Sequence, residues 1–165
     1  MSPYVRELRA RVGSARLLLP SVTALVFDDA GRLLLVRQGD LDVWSTPGGA
    51  MEPGEPPADA VVREAWEETG LLVEPRRIAG VYGGDETVVR YPNGDETQYV
   101  MIVFDCAVRG GAPRADGDET LEVRYVAADE ARALALTPWL RHLIDTFYAR
   151  REGHFAPPTW RPPDE

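Results

Sequence analysis

The stretch GAMEPGEPPADAVVREAWEETGL, residues 49–71, decides the fold of this 165-residue chain and carries most of its chemistry. An α-helix repeats about every 3.6 residues, so Glu64, Glu67 and Glu68 project from one side of the helix predicted here. Like charges at this spacing repel one another and destabilise an isolated helix. The cluster therefore predicts a positive partner, and hard carboxylate oxygens suit Mg²⁺ or Mn²⁺.

The apolar residues of the same segment predict that one side of this helix packs on a core. At about 100° per residue, six residues gather on one arc opposite the glutamates. They are Ala58, Val61, Val62, Ala65, Trp66 and Thr69. Pro56 and Pro57 suit the first turn, because its amides are unpaired in any case. Gly70 suits the C-terminal end of the helix.

Arg63 lies four residues before Glu67 and within reach of Glu55 in the preceding loop. We therefore expect it to hold a carboxylate in place and to reduce the repulsion within the cluster. Three glutamates alone are more often a solvated helix face. The glycine turn Pro47-Gly48-Gly49, directly before the loop, belongs to a longer constrained pattern that argues against this alternative.

The full pattern runs Gly, five residues, Glu, seven residues, Arg-Glu, one apolar residue, Trp, Glu-Glu, Thr, Gly, Leu. It resembles the signature of the Nudix hydrolase family at every fixed position. Ala65 is a mild departure, because the family more often has a larger aliphatic residue there. The resemblance covers about 20–129, including the lead-in from Trp44 to Gly49. It implies an α/β fold, an α/β/α sandwich with a mixed central sheet.

The resemblance also implies an activity, the hydrolysis of a diphosphate that links a nucleoside to a further group X. The cofactor implied is Mg²⁺, with Mn²⁺ as a substitute. By position in the motif, Glu64 and Glu68 are the best metal ligands, Glu67 the third carboxylate, the Gly48 carbonyl a backbone ligand and Arg63 the orienting residue. Gly49, Glu55 and Gly70 are the structural positions of the box.

Two residues outside the box are further candidates. Glu119 sits in an acidic loop before the predicted strand Leu121 to Val126, where Nudix hydrolases often bring a loop glutamate to the metal as a ligand or base. Glu122, a solvated loop and a box glutamate as base are the alternatives. Arg37, at the end of a predicted strand, is a candidate phosphate contact by the same resemblance. Its alternative is a solvated surface arginine.

Three functions remain open at this stage. The first is a MutT-like hydrolase of nucleoside triphosphates, and the second is a pyrophosphatase of ADP-ribose or another nucleotide sugar. Tyr82, Tyr91 and Pro92 follow the box, but none sits clearly at a marker position of a family subgroup. The third is a catalytically silent Nudix-like nucleotide-binding module, against which the intact box carboxylates argue.

Composition limits the class of protein. The chain is 44% hydrophobic and 27% charged, as in an ordinary globular domain. Its net charge of −9 argues against nucleic-acid binding, whereas a small metal-bound phosphate ester is compatible. Cys106 is the only cysteine, so an internal disulfide is excluded, and we expect it to be buried. Neither a signal peptide nor a membrane span is recognisable, so we expect a cytoplasmic protein without membrane contact.

We expect one domain over residues 1–165. It divides into a helical leader at 1–19, the Nudix core at 20–129, a C-terminal helix at 130–152 and a proline-rich tail at 153–165. Ser2-Pro3 and Thr137-Pro138 have the pattern of helix starts. The tail carries Phe155 and Trp160, which are costly to expose. We therefore expect it to pack on the body or on a second subunit of a homodimer.

Strands are predicted on both sides of the box from apolar and β-branched runs. The predicted ranges are 22–27, 32–36, 78–82, 87–91, 96–108 and 121–126. The run at 96–108 is apolar on both faces, which indicates a central strand. His142 and His154 have no neighbour at metal-ligand spacing, so structural or surface roles are expected for both.

Overall fold

The computed structural model describes residues 3–117, 119–149 and 153–155. In chain order the elements are α1 (Pro3–Val12), β1 (Leu17–Val26), β2 (Leu33–Gln38), β3 (Trp44–Ser45), β4 (Gly48–Ala50), α2 (Pro57–Thr69), β5 (Leu71–Tyr82), a single 3₁₀ turn (Asp85–Thr87), β6 (Val88–Arg90), β7 (Glu96–Gly111), β8 (Thr120–Val126), α3 (Ala128–Ala133) and α4 (Pro138–Tyr148).

The strands form two sheets. The larger sheet has the order β4-β1-β7-β5, with β6 on the end of β7, and the smaller has the order β3-β2-β8. β1 and β7 run parallel, whereas the other pairs are antiparallel, so the larger sheet is mixed. β7 lies between β1 and β5, which confirms the prediction of a central strand.

Helices pack on both faces of the strands, because successive apolar side chains of a strand point to opposite faces. In β2, Leu34 belongs to the core cluster of α2. Leu33 and Leu35 belong to the other cluster, with the residues of α3 and α4. This alternation follows from the two-residue repeat of a strand. The α/β/α arrangement with a mixed sheet is confirmed, although the strands divide between two sheets.

After the box, the strand β5 and the region 87–91 differ from the prediction. β5 begins directly after the helix, because Gly70 adopts φ 68° and turns the chain straight into the strand. β5 also contains Pro75, which is tolerated because the pairing with β7 is irregular there and β5 is an edge strand. The region 87–91 contains the short strand β6 preceded by a 3₁₀ turn.

The two ends of the described chain also differ from the predicted division. β1 already begins at Leu17, inside the predicted leader, after Gly13 ends α1 with φ 62°. The region 130–152 contains most of α3 and all of α4, separated at 134–137 because Thr137-Pro138 begins a new helix. Ser2, the predicted cap of α1, lies outside the described residues.

The leader and the tail both contact the sheet. The Arg9 guanidinium of α1 donates to the Glu96 carbonyl (2.6 Å) and to Thr97 Oγ1 (2.9 Å) on β7. The His154 amide donates to the Ala79 carbonyl (3.0 Å) of β5. Phe155 is 70% exposed, so the body of this chain does not cover it, and packing on a second subunit stays a prediction. Trp160 lies outside the described residues.

Cys106 is buried in the core beside α2, as predicted. Burial raises the pKa of its thiol to about 12. No helix in the described part of the chain is long and apolar enough to span a membrane.

Candidate active site

Helix α2 carries the predicted cluster of glutamates. Pro56 precedes its first turn, and the Gly70 amide closes its end on the Trp66 carbonyl (2.9 Å). Ala60, Val61, Ala65 and Thr69 are its buried residues. The prediction that Trp66 belongs to the core is wrong, because the side chain is 49% exposed. Trp66 lies about 100° around the helix from Ala65, at the flank where the sheet no longer covers it.

Ala58, also predicted on the apolar arc, is exposed in the first turn of α2. Ala60 is buried in its place. A helical wheel gives directions around the axis but not the width of the surface against which the helix packs. The predicted apolar arc therefore wrongly included Trp66 at one flank, and in the first turn it included Ala58 in place of Ala60.

Glu64 and Glu68 lie on the flank of α2 that faces the glycine turn and β4. The Glu68 Oε2 atom accepts a hydrogen bond from the Gly48 amide (3.0 Å), and the Glu64 side chain is only 14% exposed. These two carboxyl groups therefore lie against the turn and are largely shielded from solvent. Only Glu67 lies mainly in solvent, with its side chain 57% exposed.

Burial raises the pKa of both inward carboxyl groups. Desolvation is the largest cause for Glu68, whose pKa lies well above its usual range despite the hydrogen bond from Gly48. Desolvation also outweighs the attraction of Arg63 at Glu64, where the charges of Glu67 and Glu119 add to the increase. The ionised forms of both carboxyl groups are therefore disfavoured unless a further positive charge comes close to them.

The glycines of the turn make room for these carboxyl groups. A Cβ on Gly49 would lie 2.7 Å from the Glu64 carboxyl carbon. A Cβ on Gly48, which has φ 151°, would lie 2.2 Å from the Val22 carbonyl oxygen of the neighbouring strand. A side chain at Gly49 would therefore displace the Glu64 carboxylate, and one at Gly48 would separate β4 from β1.

Arg63 binds three carboxylates at once. Its Nε and Nη2 atoms donate to Glu55 at 2.8 and 2.9 Å, a bidentate pair. Its Nη1 atom donates to Glu64 Oε1 (2.7 Å) and to Glu67 Oε2 (3.2 Å). The hydrogen bond from Arg63 is the main reason why the pKa of Glu55 is lowered. The structure thus shows the contacts of Arg63 with Glu55 and Glu67 that its position in the sequence predicts, and adds a contact with Glu64.

Glu119 approaches the box from the loop before β8. Its charge raises the pKa of both Glu64 and Glu68, so it lies close enough to interact with each. The Glu119 carbonyl accepts a hydrogen bond from the Gly39 amide (2.9 Å), which lies in the β2–β3 loop. Asp116 Oδ1 accepts a hydrogen bond from the Thr120 amide (2.9 Å). This bond joins the two ends of the loop that carries Glu119.

The sequence reasoning did not assign a role to Asp116 or to the Gly39 amide. Asp116, four residues before a strand and followed by glycine, has the pattern of a side chain that accepts a backbone amide in a turn. That pattern could have identified it. Gly39 is far from Glu119 in sequence, and no local pattern predicts their contact.

Arg37 is not held against the box. It pairs in register with Glu122 across β2 and β8, and its Nη1 atom binds Asp42 Oδ1 at 2.9 Å. Glu122, the alternative to Glu119, also lies 3.5 Å from Arg124. The two residues thus balance each other's charge on the smaller sheet. The phosphate contact predicted for Arg37 remains a prediction and requires it to exchange a carboxylate partner.

The donor set near the glycine turn fits a hard divalent cation. It contains carboxylates whose mutual repulsion a cation would relieve. Among residues 3–117, 119–149 and 153–155, no three acidic, histidine or cysteine side chains converge to enclose a metal as they stand. Glu64 instead binds Arg63, and Glu68 binds the Gly48 amide. Both contacts are polar and exchangeable.

Comparison with known proteins agrees with this geometry. The model of the NUDIX domain matches residues 17–147. A MutT-like protein of Streptomyces ambofaciens is 34% identical over 125 residues, which are 76% of this chain and 74% of the relative. A putative 8-oxo-dGTP diphosphatase of Bacillus subtilis (strain 168) is 33% identical over 103 residues, which are 62% of each chain.

The fold is also similar to solved structures of this kind. The crystal structure of the MutT protein from Methanosarcina mazei Go1 superposes with a TM-score of 0.66 at 28% identity. That match covers 81% of this chain and 94% of the other. The chain therefore belongs to the NUDIX family. Its activity within that family is that of a Nudix pyrophosphohydrolase.

Proposed function

We propose that this chain hydrolyses the diphosphate linkage of nucleoside diphosphate-X compounds with Mg²⁺, Mn²⁺ being a substitute, and that nucleoside triphosphates are its preferred substrates. The observation that supports this most is the pair of inward carboxyl groups on α2, which lie at the glycine turn and whose pKa values are raised by burial and by neighbouring carboxylates. Nudix hydrolases generally use divalent metals such as Mg²⁺. A cation at this position would make the buried charge favourable.

The proposed roles follow from the contacts. Glu64 and Glu68 would hold the metal, with Glu67 and the Gly48 carbonyl as the further ligands expected from the motif. When bound, a divalent cation neutralises phosphoryl oxygens and lowers the pKa of water. Arg63 keeps the Glu64 carboxylate in place through the pair at 2.7 Å. The proton of the attacking water goes to Glu119 or to a box glutamate.

Nucleoside triphosphates are favoured because two relatives have names of the MutT and 8-oxo-dGTP diphosphatase type. ADP-ribose and other nucleotide sugars remain the alternative substrates. The substrate is in each case a small molecule, because a net charge of −9 disfavours nucleic acid. A cytoplasmic location, one domain over residues 1–165 and a homodimer remain expectations, and size-exclusion chromatography with light scattering tests the last.

The test is a hydrolysis screen of nucleoside triphosphates, 8-oxo-dGTP, ADP-ribose and nucleotide sugars, with Mg²⁺ and with EDTA, in which ion-exchange chromatography identifies the products. The expected result is Mg²⁺-dependent release of pyrophosphate and a nucleoside monophosphate from a triphosphate. Release of AMP and ribose 5-phosphate from ADP-ribose alone would replace the preferred substrate by the alternative. No product from any of these compounds would favour the silent binding module and contradict the proposal.

A further inference from the structure

The loop between β2 and β3 is closed by its own hydrogen bonds and lies beside the acidic cluster. The Gln38 amide donates to the Val43 carbonyl (2.9 Å), and the Asp42 amide donates to the Gln38 carbonyl (3.0 Å). The Gly39 amide donates to the Glu119 carbonyl (2.9 Å). Because the charge of Glu119 acts on both inward glutamates of α2, the loop lies next to the box.

Asp42, in this loop, has an unusual backbone conformation. Its φ is 51°, and it is the one residue other than glycine with a positive φ within the part of the chain that the structure describes. Aspartate tolerates this left-handed conformation better than most residues, but glycine adopts it with less strain. The turn alone would therefore favour glycine. An aspartate at this position indicates that its carboxylate has a role.

The Asp42 carboxylate binds Arg37. Its Oδ1 atom accepts a hydrogen bond from Arg37 Nη1 at 2.9 Å, whereas Glu122 Oε2 lies 3.7 Å from Arg37 Nε. That Nε atom is buried and has no hydrogen-bond partner among the described residues. The side chains of Arg37 and Asp42 are 35% and 75% exposed. A dissolved anion can therefore reach this pair, and an exposed ion pair of this kind is weak.

Arg37 and Arg63 differ in how firmly each guanidinium is held. Arg63 donates to three carboxylates and forms a bidentate pair with Glu55. Arg37 donates to Asp42 through a single nitrogen. A phosphate group can accept two parallel hydrogen bonds from a guanidinium, which is a stronger contact than a single one. Arg37 can therefore pass from Asp42 to a phosphate, whereas Arg63 would have to release the box carboxylates.

We propose that Asp42 is a positioning residue that holds Arg37 in reserve, and that a phosphate group bound beside the box displaces the Asp42 carboxylate from it. Until then the pair keeps the guanidinium ordered and apart from the acidic cluster. The inference rests on the proposed function, because the phosphate belongs to the substrate of the box. It also has a measurable consequence, since a carboxylate that competes for Arg37 lowers the affinity for phosphates.

The first measurement is calorimetric titration of the full chain with methylenediphosphonate in the presence of Mg²⁺. This diphosphate analogue is not hydrolysed and carries no base, so its binding depends neither on activity nor on the identity of X. Asp42→Asn removes the charge, keeps the size of the side chain and tolerates a positive φ. We expect it to bind the analogue about threefold more tightly or better, in keeping with the strength of an exposed ion pair. Asp42→Gly should have the same effect.

Asp40→Asn is the matched control. It removes the same charge from the same exposed loop, whereas the carboxylates placed against Arg37 are those of Asp42 and Glu122. In an Arg37→Ala background, Asp42→Asn should change the affinity no more than Asp40→Asn does, because the guanidinium is missing. Equal tightening by the two asparagine variants, weaker binding in Asp42→Asn, or no binding of the analogue by any of these chains would overturn the inference.

Steady-state kinetics with the substrate that the hydrolysis screen identifies give a second readout. Asp42→Asn should lower KM about threefold and leave kcat within about twofold of the wild type, because it changes phosphate binding and not the box. A fall in kcat at unchanged KM would show that Asp42 supports the loop instead, and would overturn the inference. Tighter binding of the analogue by a variant of a chain that hydrolyses nothing would contradict the proposed function alone.

Discussion

Gly49 and Glu64 are packed so closely that the carboxyl carbon of the glutamate lies 2.7 Å from the position of a Cβ on the glycine. Glycine is therefore required at this position because the Glu64 carboxyl group leaves no room for a Cβ, and not because of the backbone angles. We expect Gly49→Ala to displace the Glu64 carboxylate and to lower kcat at least tenfold. Gly110→Ala is the control, because nothing lies within 4 Å of a Cβ there. Equal loss of activity in both variants would contradict the steric explanation.

The two inward glutamates should be needed for activity, because their charge is what would attract the cation. Glu64→Gln or Glu68→Gln keeps the shape of the side chain, and we expect turnover at saturating Mg²⁺ to fall by about two orders of magnitude or more. Steady-state kinetics and a Mn²⁺-binding titration measure the two effects. Turnover close to that of the wild type in both variants would refute the assignment.

Asp116 should act on the site through the position of Glu119. Asp116→Ala removes the acceptor of the Thr120 amide, and we expect weaker Mn²⁺ binding and faster hydrogen exchange at that amide. Asp116→Asn keeps an oxygen acceptor and should restore most of both properties. If the asparagine variant were as defective as the alanine variant, the charge of Asp116 would matter more than its hydrogen bond.

A pH effect on stability is expected far from the site, at Glu96. Hydrogen bonds from Arg90 and Arg16 lower its pKa below the usual value of a glutamate. A carboxyl group whose pKa is lowered by folding stabilises the native state above its unfolded pKa, and this contribution is lost as pH falls through the folded pKa. We expect Glu96→Gln to lower Tm at pH 7 and to have little effect near pH 3. Thermal unfolding at both pH values tests this, and an equal deficit at both would contradict it.

Local sequence patterns predicted the helix of the box, its glycine end and the contacts of Arg63 with Glu55 and Glu67 well, because each of these depends on residues close together in the sequence. They failed at Trp66, because the edge of the sheet under α2 depends on strands far away in sequence. They did not show that Glu64 and Glu68 are buried, because charge alone does not reveal that β4 packs against that flank. The Gly39 amide that holds Glu119, and His154 beside Tyr82, were beyond prediction for the same reason.

The segment around His154 has a consequence for solubility. β5 is the outer strand of the larger sheet, and an unpaired outer strand offers free amides and carbonyls to other chains. The hydrogen bonds of His154 to Ala79 and Val81 occupy part of this edge. Ile78 and Val81 on the same strand are 49% and 43% exposed, so an uncovered edge there would also present apolar surface to other chains. The single bridge at His154 thus covers one part of an edge that could otherwise pair with another chain.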